Sequence, residues 1–560
     1  MARTIGIGCQ DFETIRRKGY FYVDKTAFLS EWWESGDSVT LITRPRRFGK
    51  TLNMSMAEQF FSVRYAGQAE LFCGLSIWEK EEYRKLQGTC PVISLSFANV
   101  KENTYEKARY RMCQILMNLY LEHRFLLEGD LLASREKDYF ERISETMKEE
   151  DATMSLHYLS AFLQRYYGKK VIILLDEYDT PMQEAYINGY WEEMVSFTRS
   201  LFNSTFKTNP YLDRAIMTGI TRVSRESVFS DLNHLQVITT TSDQYADSFG
   251  FTEKEVFAAL KECGVSEKRQ EVKNWYDGFT FGKRTDIYNP WSILNYLDKK
   301  RAMAYWANSS SNSLVGKLIR EGNKEIKQNL ENLLHGGSFQ AEIDEQVVYE
   351  ELWTKRNAVW RLLLAGGYLK VLEVEEGAKD GRWYYTLALT NREVKRMFEN
   401  MIRGWFAEQD EYYNDFIKAL LSDDLKAMNY YMNKVTLSMF SSFDTGKRPS
   451  KEAEPERFYH GFVLGLLAEL SGRYLVTSNR ESGFGRYDVL LEPEKGDDGI
   501  ILEFKVQDPE EEKELSDTVK AALRQIEDKK YETILVDKGI PKERIRKYGF
   551  AFCGKTVLIG

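Results

Sequence analysis

Apolar positions follow two rhythms along this chain. Over residues 1–240, short apolar runs alternate with longer stretches of helical spacing. Ser38–Thr43 (SVTLIT), Cys90–Phe97 (CPVISLSF), Val171–Leu175 (VIILL) and Arg214–Ile220 (RAIMTGI) read as strands, while Lys50–Val63 and residues 104–126 read as helices. Apolar strands alternating with helices predict an α/β fold whose parallel sheet is covered on both faces. Residues 250–345 read as mainly helical, with a loop-like stretch at 274–290 (NWYDGFTFGKRTDIYNP). Residues 346–405 read as helix, helix and hairpin, the hairpin turning near Ala378–Gly381, an order that predicts a winged-helix-like unit. Helical spacing runs on to 440. Ser441–Pro455 is polar, holds two prolines and reads as a linker. A final α/β unit follows, with an amphipathic helix over 455–470, strands at YDVLLEP and GIILEFKV, a helix over 516–531 and a further strand over 532–539. The expected domains are therefore 1–290, 291–440, a linker at 441–455, and 456–560.

Composition narrows the function classes. Hydrophobic residues at 43% and aromatics at 14% exclude a disordered chain. A net charge of −8 excludes a uniformly basic nucleic-acid coat but leaves room for a local basic groove. The six cysteines form no CxxC and the five histidines no HExxH, so neither a zinc ribbon nor a redox dithiol is indicated. The first twenty residues carry charges where a signal peptide needs an apolar core, and no apolar run is long enough to span a bilayer. The expectation is a cytoplasmic protein without membrane contact.

Residues 41–53 (LITRPRRFGKTLN) place Gly49, Lys50 and Thr51 between a strand and a helix. That is the context of a phosphate loop: backbone N–H groups at a helix start face an anion, and the helix dipole favours negative charge there. Lys50 is expected to reach the β- and γ-phosphates of ATP, and the Thr51 hydroxyl to ligate Mg²⁺. Arg44 stands where the usual pattern has its first glycine. The strand VIILLDEYD ends in Asp176, placed to hold Mg²⁺ through water, and Glu177, placed to polarise an attacking water. At and after the end of the strand RAIMTGI, Thr218 or Thr221 is a candidate γ-phosphate sensor, and Arg222 or Arg225 a candidate to neutralise transferred charge.

These blocks, with RKGYFYVDKT (17–26) and TGITRVSRESVFSDLNHL (218–235), resemble the AAA-ATPase-like family of bacterial proteins. The resemblance implies a P-loop NTPase fold, a phosphate loop written RPRRFGK[ST] in which Arg47, Phe48 and Gly49 take part, and a site that can lie between subunits of a homo-oligomer. It also sets Tyr22 and Asp24 either near the adenine or in packing and capping of the first helix.

The third constellation lies in residues 485–506. Glu503 and Lys505 are two apart on one strand and face one side, and Asp488 sits at the opposite position of the hairpin. Two carboxylates can bind a divalent cation, Mg²⁺ or Mn²⁺, and a lysine beside it can orient the attacking water. Charged residues within the apolar strand IILEFKV need such a reason. The segment resembles the core of PD-(D/E)XK nucleases, a restriction-endonuclease-like α/β fold, with Tyr487 in place of the proline. The resemblance implies Glu456 as a further metal ligand, with Glu469 as a competitor and helix capping as the bland role, and Gln525 as a contact to substrate or metal site. The wing, EVEEGAKDG, is not basic, so protein packing is expected of it more than DNA contact. The function expected is an ATP-binding and ATP-hydrolysing protein whose C-terminal domain cuts nucleic acid, DNA above all, in repair, mobile-element turnover or phage defence. The alternative is a signalling or scaffold NTPase whose nuclease-like domain binds without cutting.

Overall fold

The computed structural model describes residues 3–223, 228–229, 232–307, 313–320, 324–343, 357–376, 382–407, 410–439, 463, 467, 470, 473–478, 481–482, 485–494, 496–508, 512–553 and 556–560. Arg225, Glu456, Glu469, the 441–455 linker and the expected turn near Ala378–Gly381 lie outside them. The chain forms two compact units, residues 1–321 with 335–397, and 322–334 with 398–560.

The first unit is built on five strands: β1 (Val39–Thr43), β2 (Val92–Ser96), β3 (Val171–Asp176), β4 (Leu212–Gly219) and β5 (Leu235–Ile238). Their order is β2-β3-β4-β1-β5 and every pairing is parallel. All positions of β1 and β3 are buried, which is why both read as continuous apolar runs rather than alternations. Helices α1 (Lys50–Phe61), α2 (Tyr105–Glu122) and α3 (Glu149–Tyr167) pack against β2 and β3. α4 (Thr180–Asn188) and α5 (Trp191–Phe202) complete the connection to β4. Because the strands are parallel, the phosphate loop after β1, the acidic turn after β3 and the segment after β4 all emerge at one sheet edge, where open α/β sheets bind ligands. β5 was not foreseen: its four residues, LQVI, follow a polar stretch and carry too short an apolar signal.

The loop-like stretch 274–290 is in fact an antiparallel hairpin, β6 (Phe279–Phe281) and β7 (Arg284–Tyr288). Dense turn chemistry hides it in the sequence, yet Phe279, Phe281, Ile287 and Tyr288 are all buried. α6 (Pro290–Lys299) follows, started by Pro290 and capped by Asn289, whose Oδ1 accepts from the Trp291 and Ser292 N–H groups. The winged-helix-like part has β8 (Phe339–Glu342), α7 (Ala358–Ala365), β9 (Leu369–Glu376) and β10 (Trp383–Leu389), the strands forming an antiparallel sheet in the order β9-β10-β8. Phe339 on β8 meets Trp360 on α7 with ring centroids 4.6 Å apart.

Glu393, in the first turn of α8 (Arg392–Ala407), is fully buried. It accepts from the Ser292 hydroxyl at 2.8 Å and from the Trp306 N–H at 2.6 Å, so one carboxylate joins α8 to α6 and to residue 306.

The second unit carries a five-stranded mixed sheet, β11 (Tyr474–Ser478), β12 (Val489–Pro493), β13 (Gly499–Val506), β14 (Ile545–Cys553) and β15 (Thr556–Ile559), in that order. β13 and β14 are parallel and the other pairs antiparallel. Alternation along β13 splits two cores: Ile500, Leu502 and Phe504 join one, Ile501 the other with Leu490, Ile526 and Leu535. The strand expected over 532–539 is instead a short helix, α11 (Thr533–Asp537), after α10 (Leu515–Asp528). Three apolar residues in TILV fit either element. Burial of Tyr531 and Leu535, four apart on one side, decides for the helix. The strand that follows α10 in the sheet is β14. At the far margin, two asparagines of α9 (Leu425–Met439) bond the backbone of β15. Asn429 pairs with the N–H and C=O of Ile559 (both 2.8 Å), and Asn433 with those of Val557 (2.9 and 2.7 Å). No helix among the described residues is long and apolar enough to cross a membrane.

Burial pushes the Glu393 carboxyl from 4.5 up to about 7, although its hydrogen bonds oppose the shift. The folded state therefore holds this proton more tightly than the unfolded chain. The corresponding stability is complete below the unfolded value and is lost as pH rises through the folded one. Glu393→Gln is expected to remove on the order of 2–3 kcal/mol of decline between about pH 4.5 and 7. Denaturant unfolding of both proteins at a series of pH values checks this; parallel curves for the two would count against it.

Candidate functional site: a phosphate loop and a carboxylate pair

The loop between β1 and α1 is fixed from inside. Arg44 is fully buried, and its guanidinium donates to the carbonyls of Thr43 (3.0 Å), Thr239 (2.5 Å) and Gln244 (3.3 Å). It also lies 4.4 Å over the Phe281 ring. Burial alone pulls its pKa down to about 9. The missing glycine is thereby explained. Arg44 is not among the left-handed residues; the loop takes left-handed backbone at Arg47 (φ 63°) and Gly49 (φ 85°). Position 44 thus tolerates a Cβ, and its side chain ties the loop to the segment after β5.

The next residues are also anchors. The Arg47 guanidinium stacks 3.8 Å over Trp291, and burial, then Arg46, lowers its pKa. Phe48 is buried, edge-on to Phe279 and Phe281. The Arg46 carbonyl accepts from Trp306 Nε1 at 3.0 Å and Asn289 Nδ2 at 3.3 Å. The Arg47 and Phe48 side chains thus hold the loop against the 279–306 segment.

Gly49 occupies the N-cap position of α1 in left-handed backbone and makes no side-chain cap bond to the first turn, whose N–H groups are of the kind that can bind an anion. Lys50 is buried; its Nζ donates to the carbonyls of Arg44 and Pro45 (3.1 Å each) and lies 3.7 Å from Glu177 Oε1. The Thr51 hydroxyl donates to Asp176 Oδ2 at 2.7 Å, and the Thr218 hydroxyl bonds Asp176 Oδ1. Asp176 is 4% exposed. Burial and then Glu177 raise its pKa, against the two hydroxyls and Lys50. A hydroxyl and a carboxylate in contact are a hard oxygen pair that suits Mg²⁺ beside a triphosphate. The structure therefore brings Lys50, Thr51, Asp176, Glu177 and Thr218 together. Thr221 is turned away, its hydroxyl donating to Asp179 at 2.8 Å, and Arg222 follows it, half-buried. The Tyr22 hydroxyl lies 3.4 Å from Met56 Sδ, and Asp24 accepts from the N–H groups of Thr26 and Ser76.

In the second unit, Val489 pairs with Leu502, so Asp488 falls opposite Glu503. Asp488 Oδ2 accepts from the Phe504 N–H at 2.8 Å, which anchors this carboxylate across the hairpin. Glu503 is 2% exposed, and its Oε1 accepts from Gln525 Nε2 on α10. Gln525 also lies 3.3 Å from the Tyr531 hydroxyl. Burial raises the pKa of Tyr531 against the Gln525 hydrogen bond, and the charges of Glu503 and Asp488 add to the rise. Lys505 emerges two residues beyond Glu503 on the same face, half-buried. The donor set fits a hard divalent cation, with an ammonium and an amide beside it. Tyr531 was missed by sequence reading; the signal available was its six-residue spacing from Gln525. Among its described residues the hairpin β9–β10 carries Glu373, Glu375 and Glu376 beside exposed Leu372, Val374 and Trp383, with Lys370 and Arg382 as its basic members.

Comparison with known proteins agrees with both halves. A family model described as a predicted AAA-ATPase matches residues 6–229, and one described as the PD-(D/E)XK nuclease superfamily matches residues 454–560. The chain joins an AAA-ATPase-like domain to a PD-(D/E)XK nuclease-superfamily domain. A curated relative, an uncharacterized protein in the vnfD 5′ region of Azotobacter chroococcum mcd 1, is 25% identical over 396 residues, 70% of this chain and 68% of its own. The nuclease-superfamily match takes in the Asp488–Glu503 hairpin, and the AAA-ATPase-like match takes in every residue grouped around Asp176.

Arg44→Gly, which installs the commoner glycine, is expected to destabilise the AAA-ATPase-like domain by roughly 2–4 kcal/mol, since three buried carbonyls lose a donor and a cavity opens. Nucleotide affinity is expected to fall with it. Denaturant unfolding and titration with a fluorescent ATP analogue measure the two; a gain in either contradicts the anchoring role.

Proposed function

We propose that this protein binds and hydrolyses ATP at the β1–α1 loop and cleaves DNA phosphodiesters at the Asp488–Glu503–Lys505 site, each with a divalent cation, Mg²⁺ in the first place. The observation that carries the nuclease reading is the buried Glu503 opposite Asp488, tethered by Gln525, with Lys505 on the same strand face. An apolar strand has no structural use for that group of charges. In the nuclease domain the bound cation would supply Lewis acidity and a nucleophilic water. Asp488 and Glu503 would hold the cation, Lys505 would orient the attacking water and balance charge on phosphorus, and Gln525 would keep Glu503 aimed. In the ATPase domain Lys50 would leave the Arg44 and Pro45 carbonyls for the phosphates, Thr51 and Asp176 would hold Mg²⁺, and Glu177 would act on the attacking water. Arg222 would neutralise transferred charge. The left-handed backbone of Glu177 (φ 53°) supports a functional role for it, since strain of this kind collects at active sites.

Two substitutions separate the sites. Lys50→Ala is expected to weaken ATP binding at least ~100-fold and abolish hydrolysis. Lys505→Ala is expected to lower DNA cleavage by ~100-fold or more and leave ATP turnover unchanged. Purified protein is assayed on linear, nicked and single-stranded DNA with Mg²⁺ or Mn²⁺, with and without ATP. A wild-type protein that turns over ATP and cuts none of these substrates would reject the nuclease half in favour of a scaffold NTPase. Normal hydrolysis by Lys50→Ala would reject the phosphate-loop assignment.

A further inference from the structure

The turn after β3 reads Asp176-Glu177-Tyr178-Asp179, and its members divide between two tasks. Asp176 and Glu177 face the phosphate loop. Tyr178 and Asp179 face the segment that leaves β4. Asp179 occupies the N-cap position of α4, where an aspartate ordinarily bonds the N–H groups of its own helix. Here it makes no capping bond. Its Oδ2 accepts from the Ile220 N–H (3.0 Å), the Thr221 N–H (2.8 Å) and the Thr221 hydroxyl (2.8 Å), with Gln183 Nε2 at 3.1 Å. The Tyr178 hydroxyl donates to the Thr221 carbonyl (2.8 Å) and accepts from the Val223 N–H (3.0 Å). Both side chains are fully buried. At Gly219 a Cβ would lie 2.7 Å from Asp179 Oδ1 and from the Tyr178 ring, so glycine is what admits this close approach.

The neighbours of Arg222 on both sides are thus clamped to the turn that carries Asp176 and Glu177, and Thr218 is clamped to Asp176 itself. A carboxylate that forgoes its local cap to bond a distant segment breaks a local rule, and such breaks concentrate at functional sites.

We propose that Asp179 is a positioning residue for ATP hydrolysis: by fixing Ile220 and Thr221 it sets where Arg222 meets the transferred phosphoryl group. The inference rests on the ATPase reading above and adds the element that orients its arginine. Asp179 and Tyr178 act through Arg222, so their loss lowers kcat and spares ATP binding, because Lys50 and the α1 N-terminus remain in place.

Steady-state ATP hydrolysis by the full chain tests it, with thermal unfolding run on every variant. Asp179→Ala is expected to lower kcat ~10- to 100-fold, the cost of displacing a catalytic group by about 1 Å, while KM stays within about threefold. Asp179→Asn, which keeps an acceptor oxygen for the Thr221 N–H, is expected to recover most of the loss. The double variant Asp179→Ala/Arg222→Ala is expected to be no slower than Arg222→Ala alone. Tyr178→Phe, which removes only the hydroxyl bonds, is expected to show the same kcat-only pattern and serves if Asp179→Ala does not fold. Unchanged kcat in the folded variants, or losses for Asp179 and Arg222 that multiply independently, would overturn the inference with the ATPase reading intact. Absence of any Lys50-dependent turnover in the wild type would overturn both.

Discussion

The Asp176 carboxylate binds three parts of the first unit at one point. It ends β3, accepts the Thr51 hydroxyl from the first turn of α1, and accepts the Thr218 hydroxyl from β4. Each contact requires that the parallel strands end together, so the sheet order β2-β3-β4-β1-β5 is what allows a single acid to reach both partners. A carboxylate this deeply buried is costly unless its oxygens are satisfied. The hydroxyls satisfy them without neutralising the charge, and a site with negative charge and little water is what a cation finds most attractive.

The phosphate loop shows how a departure from a common pattern is accommodated. A glycine-rich loop obtains its shape from backbone freedom. This one obtains it from side chains used as pegs: Arg44 among carbonyls, Phe48 among phenylalanines, Arg47 on Trp291. The pegs enter sockets made by residues 239–306, far along the chain. Loop shape therefore depends on packing of distant sequence, and the loop and the segment after the ATPase-like match must fold as one body.

Much of this was legible in the residues, and the parts that were not have physical reasons. β1 and β3 were readable because burial on both faces leaves mostly apolar runs, and the Asp488–Glu503 opposition because hairpin register follows from strand alternation. The hairpin at 279–288 was hidden by turn residues around strands of three and five. Residues 533–537 misled because three apolar residues carry no period. Thr218, near the end of β4, and Thr221, just beyond it, look alike in the residue string, and only their partners Asp176 and Asp179 set them apart. The anchoring role of Arg44 was invisible for a deeper reason: two of its three partners are backbone carbonyls 195 and 200 positions away, and carbonyls have no sequence identity.

The asparagine pair on α9 has a bearing on how the C-terminal half can be handled. Asn429 and Asn433 meet alternate residues of β15 as a neighbouring strand would, so a helix does duty as the sheet's missing sixth member. An outermost strand stripped of such cover offers its free amides to any passing chain. A protein fragment begun after residue 440 would discard the helix and lay that margin bare, inviting self-association that the intact polypeptide suppresses.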